Sequence, residues 1–385
     1  MVNRSLKVGA AVLAALVAFS TAGRAQGNDP TLRQVETNNT AFGTTSAEFL
    51  LIPATARGAA LGGSFAALSN DMGSMHYNPA GLALIERPGV LATTMNYLAG
   101  TTYNFGAIAF PFGGGSRAVG FAFTSFGFSD QPVYTVEDPQ GTSGEVYSVR
   151  ETAISGTLSQ QFSDRFSAGL TAKYISDQLG DVAGAAFAID FGTSFHSMIG
   201  GRPIRAAFVI SNLGTNVRHR GSPLDVLYLR PAPPDQQEVA QEPARAQLET
   251  KDWSLPVSFR VAVAYDAFAT SASRLTLLGE FTQPNNSEPG FNLAGEYNIG
   301  LGRSGFSLAG RVGMTYAPDD NLDVPGSGSV SSAGFDTALS GSQYRMSAGG
   351  GLKYAKGTFG VGFDYAYRNY GLLGGVNTLG LSLNW

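Results

Sequence analysis

The chain has 385 residues, of which 43% are apolar and only 14% charged, with a formal net charge of −4. Soluble domains carry roughly 25% charged residues, so this low charge, together with 50 glycines, argues against an ordinary soluble enzyme. There is no Lys/Arg stripe, which argues against nucleic acid as a partner, and no cysteine, which excludes disulfides and thiolate metal sites.

Arg4 and Lys7 precede an apolar run, Val8–Phe19, followed by small residues up to Gly23-Arg24-Ala25. The run is too short and wrongly flanked for a membrane helix, so residues 1–25 read as a signal peptide cleaved after Ala25 or, alternatively, Ala22. Residues 26–46 are then expected to be a periplasmic extension. Residues 47–88 show no strand alternation; small residues dominate, broken by Gly62-Gly63 and by Asn78-Pro79-Ala80-Gly81-Leu82. Asn78 precedes a proline and is pushed toward extended geometry, Pro79 fixes its own φ, and Gly81 is free to take φ > 0. Taken alone, this knot is a surface turn.

From residue 89 onward the pattern becomes period two. In 166–174, Phe166, Ala168, Leu170, Ala172 and Tyr174 alternate with Ser167, Gly169, Thr171 and Lys173; 257–265, 306–316 and the last ten residues behave alike. The spacing predicts about fourteen strands, at 89–97, 101–111, 117–127, 145–161, 165–175, 184–195, 202–213, 255–265, 272–282, 291–300, 305–316, 344–354, 357–367 and 376–385. Most are about the length that a tilted strand needs to cross a bilayer. Even-numbered strands lead into short turns, whereas some odd-numbered ones lead into long segments, 128–144, 214–254 and 317–343. Short turns on one side and long loops on the other are the pattern of an outer-membrane barrel.

The expected fold is therefore all-β: an antiparallel transmembrane β-barrel of about fourteen strands over 89–385. Lys173, Asp190, Arg260, Glu280, Glu296, Arg311, Lys353 and Asp364 fall on its inward rows, where opposite signs can pair across the lumen. A lumen of this width needs filling, and residues 47–88 read as an N-terminal plug or hatch in its periplasmic half, with Asn78-Pro79 as a rigid corner before strand 1.

Several stretches resemble the PorV/PorQ family of outer-membrane proteins, relatives of the FadL long-chain fatty-acid channels. The matching residues are Phe49-Leu50-Leu51-Ile52-Pro53, Ala56-Arg57, Ala60-Leu61-Gly62-Gly63, Phe65-Ala66-Ala67-Leu68, Asp71 and Asn78-Pro79-Ala80-Gly81-Leu82. Shorter echoes are Ser211-Asn212-Leu213-Gly214, Leu255-Pro256-Val257-Ser258-Phe259-Arg260, Gly295-Glu296-Tyr297 and Asp364-Tyr365-Ala366-Tyr367. The resemblance implies a fourteen-stranded FadL-like barrel with a hatch. It also implies a role in type IX secretion, binding secreted proteins through a C-terminal sorting domain and passing them to other secretion components. The alternative is a FadL-like channel for long-chain fatty acids or other hydrophobic small molecules. Trp385 resembles the terminal aromatic that barrels show to the assembly machinery.

Other motifs carry less. Gly300-Leu301-Gly302-Arg303-Ser304-Gly305 matches GxGxxG but precedes a predicted strand, not the helix that a dinucleotide site needs. His76, His196 and His219 are scattered over the plug, a short turn and a long loop, so no zinc pair is expected. Asp319, Asn321 and Asp323 lack the glycine and glutamate of a calcium loop. The Pro/Gln/Glu-rich loop 214–254 is either an antigenic surface loop or a lid or protein-docking arm. No enzyme activity and no cofactor is expected; outer-membrane lipid is the expected surroundings.

Overall fold

The computed structural model describes residues 41, 43–228, 243–287, 289–316 and 344–385. The signal peptide, the Asp319–Asp323 loop and the tip of the 214–254 loop lie outside these residues. Among the described residues seventeen strands are formed: β1 (Gly89–Asn96), β2 (Thr102–Phe112), β3 (Arg117–Pro132), β4 (Val146–Ser163), β5 (Phe166–Leu179), β6 (Val182–Ile199), β7 (Arg202–Gly214), β8 (Arg220–Gly221), β9 (Asp225–Tyr228), β10 (Ala244–Gln247), β11 (Ser258–Ala269), β12 (Ser273–Pro284), β13 (Gly290–Gly300), β14 (Phe306–Tyr316), β15 (Tyr344–Lys356), β16 (Phe359–Asn369) and β17 (Gly375–Asn384). Fourteen of them, β1–β7 and β11–β17, pair antiparallel in chain order, and β1 pairs with both β2 and β17, which closes the barrel. Among the described residues, β8 adds to β6, and β9 and β10 pair as a separate ribbon in the long loop after β7.

The predicted strands are all present, with shifted ends. β3 and β6 run to 16 and 18 residues, past their expected ends at 127 and 195. The eighth barrel strand begins at Ser258 rather than residue 255. His196, expected in a turn, lies inside β6. Gly302–Ser304 form a short 3-10 turn between β13 and β14, with Gly302 at φ +62 and Gly305 at φ +77, so the GxGxxG match is a hairpin turn.

Pairing of Gly89 with Asn384 puts both barrel termini at one end, together with the turns after β2, β4, β6, β11, β13 and β15. The loops after β3, β7 and β14 leave from the opposite end. Outward rows are apolar: Phe121, Ile154, Phe187, Leu293, Val312 and Leu381 are all exposed, forming a belt of the kind that lipid covers. Inward rows are small or polar and are covered by residues 47–88.

That N-terminal segment runs from one end of the lumen to the other. Ala41 N–H donates to the Asn285 carbonyl at 2.6 Å and Thr45 bridges Ser254, both at the loop end. The Arg87 guanidinium donates to the carbonyl of Gly357, a turn at the other end. Residues 41 and 43–46 thus sit at the loop end, and the segment reaches both ends of the lumen. The wall supplies partners for its backbone along the whole path: Thr315 Oγ1 donates to Gly62 O and Ser347 Oγ to Ala60 O, each at 3.0 Å, and Ala83 N–H donates to Ser159 Oγ at 3.1 Å.

Asn78-Pro79 does not lead directly into β1. Asn78 is extended (φ −158) and caps a 3-10 helix, Pro79–Leu84, with Pro79 in its first turn. Its Nδ2 donates to Ala66 O (2.9 Å) and Thr193 O (3.2 Å), and its Oδ1 accepts from Ala80 N–H (3.1 Å). The knot is an anchor on β4–β6. Gly81 takes no positive φ; it is glycine because a Cβ there would lie 2.4 Å from the Ser69 carbonyl oxygen. The wall yields likewise: a Cβ on Gly169 would lie 2.5 Å from the Pro79 carbonyl carbon. We expect Gly169→Val to destabilise the barrel by about 1–3 kcal/mol through overpacking. Gly106→Val, where a Cβ meets nothing within 4 Å, serves as the control, and the temperature at which unboiled protein loses its compact gel migration reports both.

Candidate functional site

Seven of the eight predicted lumen charges are buried, but they form separate groups rather than one network. The largest joins the segment to the wall. Thr55 caps the short helix Ala56–Ala60, its side chain accepting from Gly58 N–H, and so orients Arg57 toward β13. Arg57 Nε and Nη2 each donate to Glu296 at 2.8 Å, while Nη1 donates to Asp71 Oδ2 and Asn70 Oδ1 at 3.0 Å. Its guanidinium also lies over the Phe65 ring, 4.9 Å from the centroid. Glu296, 1% exposed, accepts from Arg311 Nε at 2.7 Å, and Arg311 Nη1 reaches Asp364 Oδ1 at 2.6 Å. That last pair spans β15 at Gly351, where any Cβ would lie 2.4 Å from the Asp364 carboxylate. Asp71, Arg57, Glu296, Arg311 and Asp364 are one chain of charge-assisted bonds.

The second group is on β5–β7. Lys173 Nζ lies 2.6 Å from Asp190 Oδ2 and donates to Asn212 Oδ1 at 2.8 Å. Asn212 N–H donates to Asp190 Oδ1, and its Nδ2 to Pro256 O. Asn212 has φ +63 and shares with Ser211 a bulge opposite Asp190, where the β6–β7 register slips. Glu280 stands apart, accepting from Ala66 N–H at 3.2 Å, and Arg260 Nε reaches Ser258 Oγ at 3.4 Å. Lys353, expected in the network, makes no ion pair among the described residues; it lines a cavity at the turn end.

Of the predicted hatch residues, Arg57 and Asp71 share the first group, and Gly62 and Gly63 take φ +68 and +91 where the segment bends. The Ala80 carbonyl accepts from Ser159 and Ser167, and Leu82 is wholly buried. Trp385, half-exposed, donates its backbone N–H to Pro88 O at 3.1 Å. The Arg205–Asp266 pair and the contact of His219 with Asp177 were missed. Parity could have found them, because Asp266 continues the Arg260 row and Asp177 the Lys173 row.

Several cavities lie against the segment, and one at each end bears on function. The turn-end one, about 510 Å³, is lined by Arg57, Asp71, Lys353 and Asp364. The loop-end one, about 640 Å³, is lined by Phe49, Tyr97, Phe126 and Trp253 together with acidic side chains. The arrangement suits ligand passage or retention. Ser46 and His219 both bond the same carboxylate, Asp177 Oδ2, so the imidazole does not activate that serine.

No protein-family model matches the chain, and no curated protein matches it. Solved structures do. The CymD monoaromatic hydrocarbon channel superposes with TM-score 0.50 at 14% identity, over 87% of this chain and 97% of its own. The Pseudomonas putida toluene transporter TodX gives 0.49 at 9% identity over 86% and 96%, and a Pseudomonas aeruginosa FadL homologue 0.46 at 11% over 86% and 98%. The chain thus shares the fold of the CymD channel, a closed fourteen-stranded barrel; the finer PorV/PorQ resemblance finds no support among these structures.

Breaking one partner out of a buried charge group is costly, on the order of 3 kcal/mol. Arg57→Ala is expected to lower barrel stability by about that amount and to raise ion conductance in planar bilayers, as the segment loses its hold on Glu296. Arg57→Lys should recover only part, since an ammonium cannot make the bidentate bond.

Proposed function

We propose that the chain is an outer-membrane channel for hydrophobic small molecules, with residues 47–88 as its hatch. The observation that carries this reading is the segment itself: it occupies the lumen between two cavities and is held by polar contacts that can break and re-form. The apolar belt and the FadL-like fold support the outer-membrane location, with the loop end outside. An aromatic-lined cavity lies at that end and a polar one at the other, so a ligand would pass from apolar to aqueous surroundings once the segment shifts. The secretion reading, in which long loops capture proteins bearing a C-terminal sorting domain, rests on the sequence resemblance alone.

The chain has no cysteine, so a lock can be introduced cleanly. A Cβ on Gly380 would lie 3.4 Å from Ala56 Cβ, close to the spacing a disulfide requires. Liposomes carrying the wild-type protein should take up a fatty acid or a monoaromatic probe faster than empty ones. Oxidised Ala56→Cys/Gly380→Cys protein should not, and reduction should restore uptake. Uptake no faster than in empty liposomes would defeat the channel reading; unimpaired uptake by the oxidised variant would defeat the moving hatch.

A further inference from the structure

The carboxylates of the loop-end cavity lie apart from the Arg57 charge group. Glu151 and Asp177 stand directly opposite each other on β4 and β5, on inward rows. Like charges in that position repel, and natural sheets offset them with a counter-charge. Here the compensation is partial. Asp177 is 3% exposed; its Oδ2 accepts from Ser46 Oγ at 2.7 Å and contacts His219 Nε2 at 3.0 Å. Among the described residues its Oδ1 is buried without a partner, and so is Glu151 Oε2. Glu48 adds a third carboxylate at the rim, and among the described residues no lysine or arginine lines the cavity. Arg345 and Arg368 lie against Tyr370, which itself stacks edge-on with Tyr97 at 5.6 Å.

The remaining wall is aromatic. Phe49 stacks parallel to Phe126 with centroids 6.4 Å apart, and Tyr97 meets Phe126 edge-on at 5.9 Å. Ring faces beside unpartnered carboxylate oxygens are the surroundings an organic ammonium favours, by cation–π attraction and charge-assisted hydrogen bonds. A bare metal ion fits less well: among the described residues no set of three His, Asp or Glu side chains is spaced to hold one. A fatty-acid carboxylate fits worst, since its head would meet Glu151 and Asp177 with no cation to offset them.

We propose that the loop-end cavity binds amphipathic organic cations, an ammonium or amidinium group on an apolar or aromatic body, with Asp177 and Glu151 as the head-group acceptors. This rests on the channel reading only in making the cavity the outer station of the path. The binding test does not depend on transport.

The probe is 3-phenylpropylammonium, water-soluble and matched in shape by 3-phenylpropionate. Binding to the purified full chain in a non-ionic detergent is followed by calorimetry and by the emission of Trp253, which lines the cavity, in a Trp385→Phe background. The ammonium should bind about tenfold or more tighter than the carboxylate. Asp177→Asn and Glu151→Gln should each erase most of that preference, and Lys353→Met, at the other end, should leave it intact. Glu151 is only half-buried and forms no ion pair among the described residues, so its variant keeps the test available if Asp177→Asn fails to fold. Equal or tighter binding of the carboxylate, or ammonium binding indifferent to both substitutions, overturns the proposal. Ammonium binding that persists while liposomes show no uptake would uphold the site and sink the channel.

Discussion

A sheet exposed to hydrocarbon cannot leave an edge, because each unpaired N–H or C=O there costs several kcal/mol. The pairing of β1 with β17 meets that constraint, and the rest of the architecture follows from it. Closure with fourteen strands leaves a lumen too wide for wall side chains alone. Outward rows must be apolar, and inward rows must suit whatever fills the space. The filling chain is subject to the same accounting: its backbone has too few helical turns to satisfy itself, so the wall must supply donors and acceptors.

The lumen solves this with small residues and hydroxyls. Ser159, Ser167, Thr315 and Ser347 contribute hydrogen bonds to the segment, while Gly169 and Gly192 let the Asn78-Pro79 anchor sit against the strands. The high glycine content reflects this close approach of two backbones as much as it reflects turns. Charge is then used sparingly and in pairs. Arg57 is the side chain through which the segment joins a buried wall group, and its bidentate hold on Glu296 gives direction that apolar packing alone would not.

The two ends of the lumen differ in kind. At the turn end, carboxylates and cations alternate and nearly balance. In the loop-end cavity around Asp177, carboxylates accumulate beside aromatic rings, and no lysine or arginine is among the described lining residues. A ligand moving between these two cavities would meet a change in both polarity and sign, with residues 47–88 between them.

Much of this was legible in the sequence, for a plain reason. Strand side chains have a period of two, so alternation determined the strand count, the closure-compatible even number, the sorting of turns from loops, and the inward parity of Lys173, Arg311 and the other charges. Partners were another matter. Arg57 meets Glu296 239 positions away, and Arg311 reaches Asp364 only because Gly351 leaves room between them; no local pattern encodes such a meeting. The path of residues 41–53 to the loop end and the bulge at Ser211-Asn212 also escaped, since neither follows from periodicity. The aromatic cavity around Asp177 arises where β3, β4, β5 and the segment converge. The sequence by itself determined which residues face inward, because facing is a property of one strand. Tertiary structure alone decided which inward residues meet, because meeting depends on barrel closure and on the course of the chain that fills it.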